Sequence, residues 1–494
     1  MAIQHASSST GVARASTEEE TSPLLATGIE TVGVHGIGQH QSDVEFGGTE
    51  AREKLEKKLL RKLDTRMSIL VLIYILNYID RNNASAARLH GFEEDLGLHG
   101  TQFSTILSIL YCGYILMQIP SNMFLNVMGK PSLYLSICMA IWGVLSFATG
   151  YATSFYQVLF TRFFLGFVEA AFFPGALFLI SKWYKRRELS QRTAMLSVGS
   201  LISNATGSLI ASGILAGTDG VWGYAAWRWL FFIEGGLTVF VALCAIFILP
   251  DFPETPSGWL TPEEQALAIK RMAEDTGKLA KHNGSNSNWI EGFYLAISDW
   301  KVWWLAATLT FLVFSLSFNA YFPTLVGTIG YDSSFTLLLC VPPWVFATLA
   351  AVLLSRHSDQ SEERCRHVTF SFGLGIVGFF LGMLSSNGVI RYCSFCLMAQ
   401  SYAGYICLLA WASGSISQPP AKGAVALALI NTVSSFGNIF GSYAWPSSWG
   451  TSYNRSFAVS ILASVIGLAM CWYFRRQLIL LNAKDGGRGS QYML

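Results

Sequence analysis

Four residues of this chain carry charge where charge is costly: Asp80 and Arg81 in Asn77-Tyr78-Ile79-Asp80-Arg81-Asn82-Asn83, and Arg162 and Glu169 in Arg162-Phe163-Phe164-Leu165-Gly166-Phe167-Val168-Glu169. Both strings lie inside long apolar runs. A charge at the centre of a membrane-spanning helix costs about 2.5–3.5 kcal/mol even on lenient insertion scales, so such residues persist where they find partners or a water-filled space. The spacing puts Arg162 and Glu169 on one helical face, two turns apart. Gly166 stands between them, where a neighbouring backbone or a ligand can approach. The chemistry open to this set is anion binding and proton transfer. A guanidinium grips a carboxylate through two parallel hydrogen bonds. Desolvation favours the neutral form of a carboxylic acid, which suits a membrane-embedded acid to taking up and releasing protons. Arg81 or Arg162 would then bind an anionic substrate, and Asp80 or Glu169 would carry a coupling proton. The competing reading is a buried ion-pair network that only fixes packing, since two acids and two bases balance.

The elements that must position these residues are membrane helices. Of 494 residues, 52% are hydrophobic and 13% charged, against about 25% charged in a soluble domain. Runs of roughly 20 apolar residues can cross a bilayer as helices. Twelve are expected, near 67–88, 102–124, 132–150, 156–181, 190–215 and 226–249, then near 302–326, 334–355, 367–385, 390–413, 422–445 and 456–475. The expected fold is an all-α membrane protein with twelve transmembrane helices in two six-helix bundles, residues 61–250 and 301–476. Residues 1–60 read as a disordered cytosolic tail, 251–300 as a cytosolic linker and 477–494 as a cytosolic C-terminal tail. The linker contains a short amphipathic helix with Thr261 as N-cap, Pro262 at the first position, and Glu263 and Glu264 in the first turn. Basic residues cluster before the first span (Arg52 to Arg66), between the fourth and fifth (Lys182, Lys185, Arg186, Arg187), between the eighth and ninth (Arg356, Arg364, Arg366) and after the twelfth (Arg475, Arg476). Alternate loops carry little, which places both termini in the cytosol.

Other polar features read as structural. Arg228 and Glu234 form a second pair near the start of the sixth span, with Arg228 beside two tryptophans as in an interfacial aromatic belt. The second half has no acid or base deep in a span. Its polar candidates are Asn319, Tyr321, Gln400, Asn431 and Asn438, residue types that commonly stitch membrane helices together. The nine cysteines form no disulfide framework, and Cys393-x-x-Cys396 reads as helix packing. Glu20 to Leu25 fits an acidic dileucine sorting pattern, and Asn454-Arg455-Ser456 is a glycosylation sequon on an outer loop. No nucleophile–base constellation, metal-ligand cluster or phosphate loop is found, which argues against an enzyme, a metal or a cofactor.

Two six-helix halves around a cytosolic linker resemble the major facilitator superfamily. The strings Leu76 to Asn82, Gln118-Ile119-Pro120-Ser121-Asn122, Arg162 to Gly166, Glu169 to Gly175, Trp183 to Glu188, Trp227-Arg228-Trp229 and Leu249 to Glu254 resemble the fungal allantoate permease branch of its anion:cation symporter family. Members of that branch take up small organic anions such as allantoate, nicotinate, biotin, pantothenate and ureidosuccinate. The resemblance implies that Arg81 binds a substrate carboxylate, that Asp80 and Glu169 are the protonatable groups, and that Arg162 pairs with one of them. Asn77, Tyr78, Asn319 and Tyr321 are the further substrate-binding candidates. The chain departs from the pattern at Trp411-Ala412-Ser413, where the family has asparagine after the tryptophan, and in the loop Leu125 to Lys130, which lacks the superfamily's gating motif.

The expected protein is therefore a monomeric secondary transporter. It would be energised by the proton gradient and would carry a small monocarboxylate with protons by alternating access. Two alternatives stay open, a non-transporting nutrient sensor on a transporter fold and a facilitator or exporter. The plasma membrane is the expected location, with the dileucine pattern leaving the vacuolar membrane open.

Overall fold

A computed structural model describes residues 46–282, 289–416, 420–484 and 492–493. Among them the chain forms helices and the turns that join them, with no strand. It divides into a short N-terminal unit, Met1–Lys57, and one large unit, Lys58–Leu494, which holds the spans and the linker. The dileucine pattern lies outside the described residues.

The first span is α1 (Thr49–Ala87), followed by α2 (Gln102–Met128) and α3 (Pro131–Thr149). Helix α1 starts at Thr49, so the segment read as a disordered tail up to residue 60 is helical from there. The fourth span breaks into α4 (Phe155–Glu169) and α5 (Phe172–Trp183). Pro174 lacks the N–H that would bond the Ala170 carbonyl, so the helix yields at Ala170 and Ala171, immediately after Glu169. The fifth and sixth spans are α6 (Arg186–Gly217) and α7 (Ala226–Ile248). The linker carries α8 (Pro262–His282) and α9 (Trp289–Ile297). The seventh span is α10 (Trp300–Ser315), a 3-10 segment Leu316–Tyr321 and α11 (Phe322–Gly327); the eighth is α12 (Ser333–Leu339) and α13 (Val341–Ser361). The last four are α14 (Cys365–Leu384), α15 (Gly388–Ser415), α16 (Pro420–Ser442) and α17 (Asn454–Lys484). Helix α17 runs past the expected end of the bundle at 476. Beyond it Tyr492 exchanges two hydrogen bonds of 2.9 Å with Asn482, and the Met493 carbonyl accepts from Trp411 Nε1 at 3.0 Å.

Among the described residues ten spans are long and apolar enough to cross a membrane, and twelve are consistent with the architecture. Helix α1 falls short on composition because its upper part holds Asn77, Asp80, Arg81, Asn82 and Asn83. Large apolar side chains such as Phe160, Phe240, Phe247, Leu353 and Phe370 are exposed on the outer faces, the surface that lipid tails cover.

Within the first half α3 packs on α7 and α2 on α4; within the second, α14 packs on α15 and α10 on α16. The halves meet where α2 faces α16 and where α6 faces α12 and α13. We call the end at which α1 begins the base and the opposite end the top. The side-chain bonds seen across the seam gather toward the top. Ser85 Oγ donates to the Ala320 carbonyl at 2.5 Å, Ser212 Oγ to the Ser334 carbonyl at 2.7 Å, and the Tyr443 hydroxyl lies 3.2 Å from those of Thr105 and Ser108. At mid-depth Thr432 Oγ1 donates to Gln118 Oε1 at 2.9 Å.

At the base α8 is tied to the first half. Thr261 and Glu264 cap each other's backbone N–H. Glu264, fully buried, takes Lys62 at 2.8 Å and Lys58 at 3.3 Å, while Arg271 meets Glu188 at 2.6 Å. Burial pushes the Glu264 carboxyl up, but hydrogen bonds from Lys62, the Thr261 N–H and Lys58 outweigh it and hold the group below its usual range. A carboxyl depressed on folding stabilises above its unfolded value, and that contribution is lost as pH falls through the folded one. Glu264→Gln should therefore lose stability near neutral pH and flatten the acid limb of unfolding temperature against pH in detergent.

Helices α2 and α4 cross at glycines. A Cβ on Gly166 would lie 1.9 Å from the Leu110 carbonyl oxygen, and one on Gly113 2.2 Å from that of Phe163. Gly213 of α6 faces open space. Gly166→Ala should destabilise by about 1–3 kcal/mol or more through overpacking. Gly213→Ala should be neutral or gain up to about 1 kcal/mol from helix propensity. Thermal unfolding of the two purified variants separates these outcomes.

Candidate functional site

Helix α1 climbs from base to top and α4 descends. Side chains tilt toward the N-terminus of their own helix, so Arg81 leans toward the base and Glu169 toward the top, and they meet. Arg81 Nε donates to Glu169 Oε2 at 2.6 Å. The Glu169 side chain is fully buried, whereas that of Arg81 keeps 12% of its surface exposed. The guanidinium lies over the rings of Tyr114 and Tyr78, 4.8 and 5.2 Å from their centroids. The bond to the carboxylate is made by Nε alone, so the Arg81–Glu169 pair is not bidentate. Glu169 Oε1 has no hydrogen-bond partner.

Asp80, the next residue on α1, points away from this pair. Its Oδ1 accepts from Ser146 Oγ on α3 at 2.7 Å and its Oδ2 from Thr238 Oγ1 on α7 at 3.0 Å. It is 1% exposed. Arg162 is equally buried and was expected to pair with one of the two acids. It does not: Nη1 donates instead to the backbone carbonyls of Asp80 and Arg81, at 3.1 and 3.2 Å, and its Nε and Nη2 have no partner. Residues seven apart on α4 do share a face, but α1 presents its backbone at the level of Arg162 and its long side chain at the level of Glu169. The pairing expected between Arg228 and Glu234 also fails. Arg228 Nη1 donates to the Gly150 carbonyl at 2.9 Å and stacks over Trp227, a structural role, while both Glu234 carboxyl oxygens lack a partner.

The remaining candidates divide between the seam and the helix interfaces. Tyr78 lies beside Arg81 and is partly exposed, whereas Asn77 is buried with an unpartnered Nδ2. Asn319, in the 3-10 break of the seventh span, is partly exposed and approaches Tyr402. Tyr321 is not at the site. It is 1% exposed, donates to the Ser442 carbonyl at 2.7 Å and takes a bond of 2.9 Å from Ser104 Oγ, so it belongs to the closure at the top. Gln400 is held by Ser371, as a packing residue would be. Sequence reasoning missed the tyrosines. Tyr111 and Tyr114 of α2 gather with Tyr78 around Arg81, and Tyr402 and Tyr405 of α15 face those tyrosines from the second half. Their signal was present as paired tyrosines three apart, each pair on one helical face.

Two six-helix bundles that meet along a seam, with an ion pair buried at mid-depth, make the architecture of a membrane transporter. The chain belongs to the Major Facilitator Superfamily, whose sequence profile matches residues 70–442. It is 32% identical over 451 residues to the MFS-type transporter cnsO of Penicillium expansum, covering 87% of this chain and 85% of that protein. It is likewise 32% identical over 413 residues to a provisionally named tartrate transporter of Agrobacterium vitis, covering 80% and 88%. In fold it is similar to a bacterial homologue of the human lysosomal transporter Spinster, solved inward-facing and occupied, with a TM-score of 0.65 at 17% identity over 83% of this chain and 96% of that one. A D-xylose–proton symporter gives a TM-score of 0.61 at 17% identity, covering 82% and 97%. The protein is a transporter and not an enzyme.

The hydroxyls around Asp80 set a test of the buried network. Ser146→Ala or Thr238→Val leaves one carboxyl oxygen without a donor. Each should cost about 1–3 kcal/mol, read as a lower unfolding temperature of the purified protein, with a coupling between them in the double variant.

Proposed function

We propose that the protein is a proton-coupled symporter of a small organic anion, a monocarboxylate such as a vitamin or an allantoate-like nitrogen compound, working by alternating access in the anion:cation symporter manner. The observation that carries the reading is the 2.6 Å pair between Arg81 and Glu169, with the arginine partly exposed and the acid sealed. A substrate carboxylate that docks on Arg81 takes the place of Glu169 on the guanidinium. A bare carboxylate in that buried position is costly, so Glu169 accepts a proton as it lets go. Anion and proton thus load together, and the site returns to its paired state only when both leave. The tyrosines and Asn319 supply the walls against which the rest of the substrate sits. The likeness to a tartrate transporter supports an organic-acid substrate.

Energetics favour coupling. An anion entering against 100 mV, inside negative, loses about 2.3 kcal/mol per charge. One proton makes the step electroneutral, and a second lets the potential drive it. The basic loops at the base support a cytosolic position for that end, and the plasma membrane is the location that fits uptake.

Protein purified into liposomes tests this. An acid exterior with an inside-negative potential should accelerate uptake of a labelled monocarboxylate chosen by screening. Arg81→Ala should abolish uptake, and Glu169→Gln should lose gradient-driven accumulation while keeping anion exchange. If the gradients leave wild-type uptake unchanged, or both variants transport at the wild-type rate, the reading is wrong.

A further inference from the structure

The first half buries three acids and two arginines in its spans. Arg81 neutralises Glu169. Arg162 donates to the Asp80 backbone carbonyl and lies within electrostatic reach of the Asp80 carboxyl. Glu234 is left over. It is 2% exposed on α7, and neither of its oxygens meets a donor. It adjoins Asn83, itself 3% exposed with an unpartnered Nδ2, and lies within electrostatic reach of Asp80. One turn along α7, Thr238 holds Asp80 Oδ2. Glu234, Asn83, Thr238 and Asp80 therefore form a continuous polar strip between α1 and α7.

Among the described residues no cation balances Glu234; Arg162 of α4 lies over Phe231 of α7, 5.5 Å from its ring centroid, but serves Asp80. From α1 come Asp80 and Asn83, Arg81 being turned to Glu169. From α3 come Ser146 and Trp142, and α6 presents Asn204, bonded to Asn82 at 2.7 Å. In the turn after α1, Arg88 pairs with Glu93 at 3.1 Å, and His90 faces Asp332 and Asp219. On α7 itself Arg228 is spent on Gly150. The count leaves one negative charge in excess, and a buried carboxylate with no counter-ion and only the Asn83 amide beside it costs far more than the neutral acid.

We propose that Glu234 is a third proton-binding site of the first bundle, carrying the surplus proton and exchanging it with Asp80 along this strip. In the transfer the O–H bond at Glu234 breaks and one forms at Asp80; the negative charge moves the other way, and no electrons are gained or lost. Asp80 lies seven residues from the top end of α1 and Glu234 eight residues from that of α7, about 10–12 Å below the top at 1.5 Å per residue. Glu169 ends α4, about 21 Å down. Asp80 and Glu234 thus lie at nearly the same depth, on the side where the seam is bridged, and above the level of Glu169. The strip's use in coupling rests on the symport reading above, whereas its proton does not.

Infrared difference spectroscopy of the purified full-length protein, without substrate, reads that proton. A protonated-carboxyl C=O band should be present at neutral pH, shift in deuterated buffer, titrate away at alkaline pH, and vanish in Glu234→Gln. Asp80→Asn removes the neighbouring negative charge and should move the titration to lower pH. A band untouched by Glu234→Gln, or one that neither titrates nor exchanges, overturns the proposal. In vesicles where the wild type takes up anion, Glu234→Gln should lower the protons moved per anion, and an unchanged ratio overturns the carrier role. If the wild type moves no anion, the symport reading has failed, and the infrared result still decides the proton site.

Discussion

A charge in a medium that cannot solvate it must find its compensation within a few ångströms, and the interior of the first bundle is organised by that requirement. The two arginines meet it in different ways. Arg81 is paid in kind, by the carboxylate of Glu169, and keeps a face toward the seam. Arg162 is compensated by backbone dipoles, at the carbonyls of residues 80 and 81, and has none. The glycine crossing fixes α4, which carries both Arg162 and Glu169, close against α2, since a methyl group at Gly166 would push those two helices apart.

The division of labour between the halves follows. The charges that could do chemistry belong to one bundle, and the other brings aromatic and amide side chains together with the hydroxyl contacts near the top. In the proposed rocking of the bundles the charged set moves with one body, whatever happens to the Arg81–Glu169 contact inside it. What changes is which side chains of the second half stand opposite Arg81. On the symport reading, selectivity for the substrate and the chemistry of coupling would fall on different parts of the chain.

Much of this was legible in the sequence. Apolar length and loop charge gave the spans to within a few residues, and the cost of intramembrane charge singled out Asp80, Arg81, Arg162 and Glu169. Which of them pair was not legible, because a helical face fixes the direction of a side chain but not the rotation of the neighbouring helix. Tyr321 was misplaced for a related reason. Pro323 and the 3-10 segment before it turn the end of the seventh span, and that turn carries Tyr321 from the wall to the closure. The paired tyrosines went unread because aromatic residues in a membrane helix look like ordinary apolar filling until a cation is found among them. At the ends, Thr49–Arg66 is rich in charge and Gln477–Lys484 lies past the last apolar run of spanning length, yet both continue helices that propagate at little cost once started.

The clasp of Arg162 on the backbone of residues 80 and 81 bears on durability. In the proposed cycle the Arg81–Glu169 pair opens and re-forms at each turnover, and a scaffold held together by that pair alone would slacken each time. Here the span that bears Arg81 is anchored through its main chain by a second guanidinium, that of the buried Arg162. The working contact can therefore be surrendered and recovered as often as turnover demands, while the frame around it stays shut.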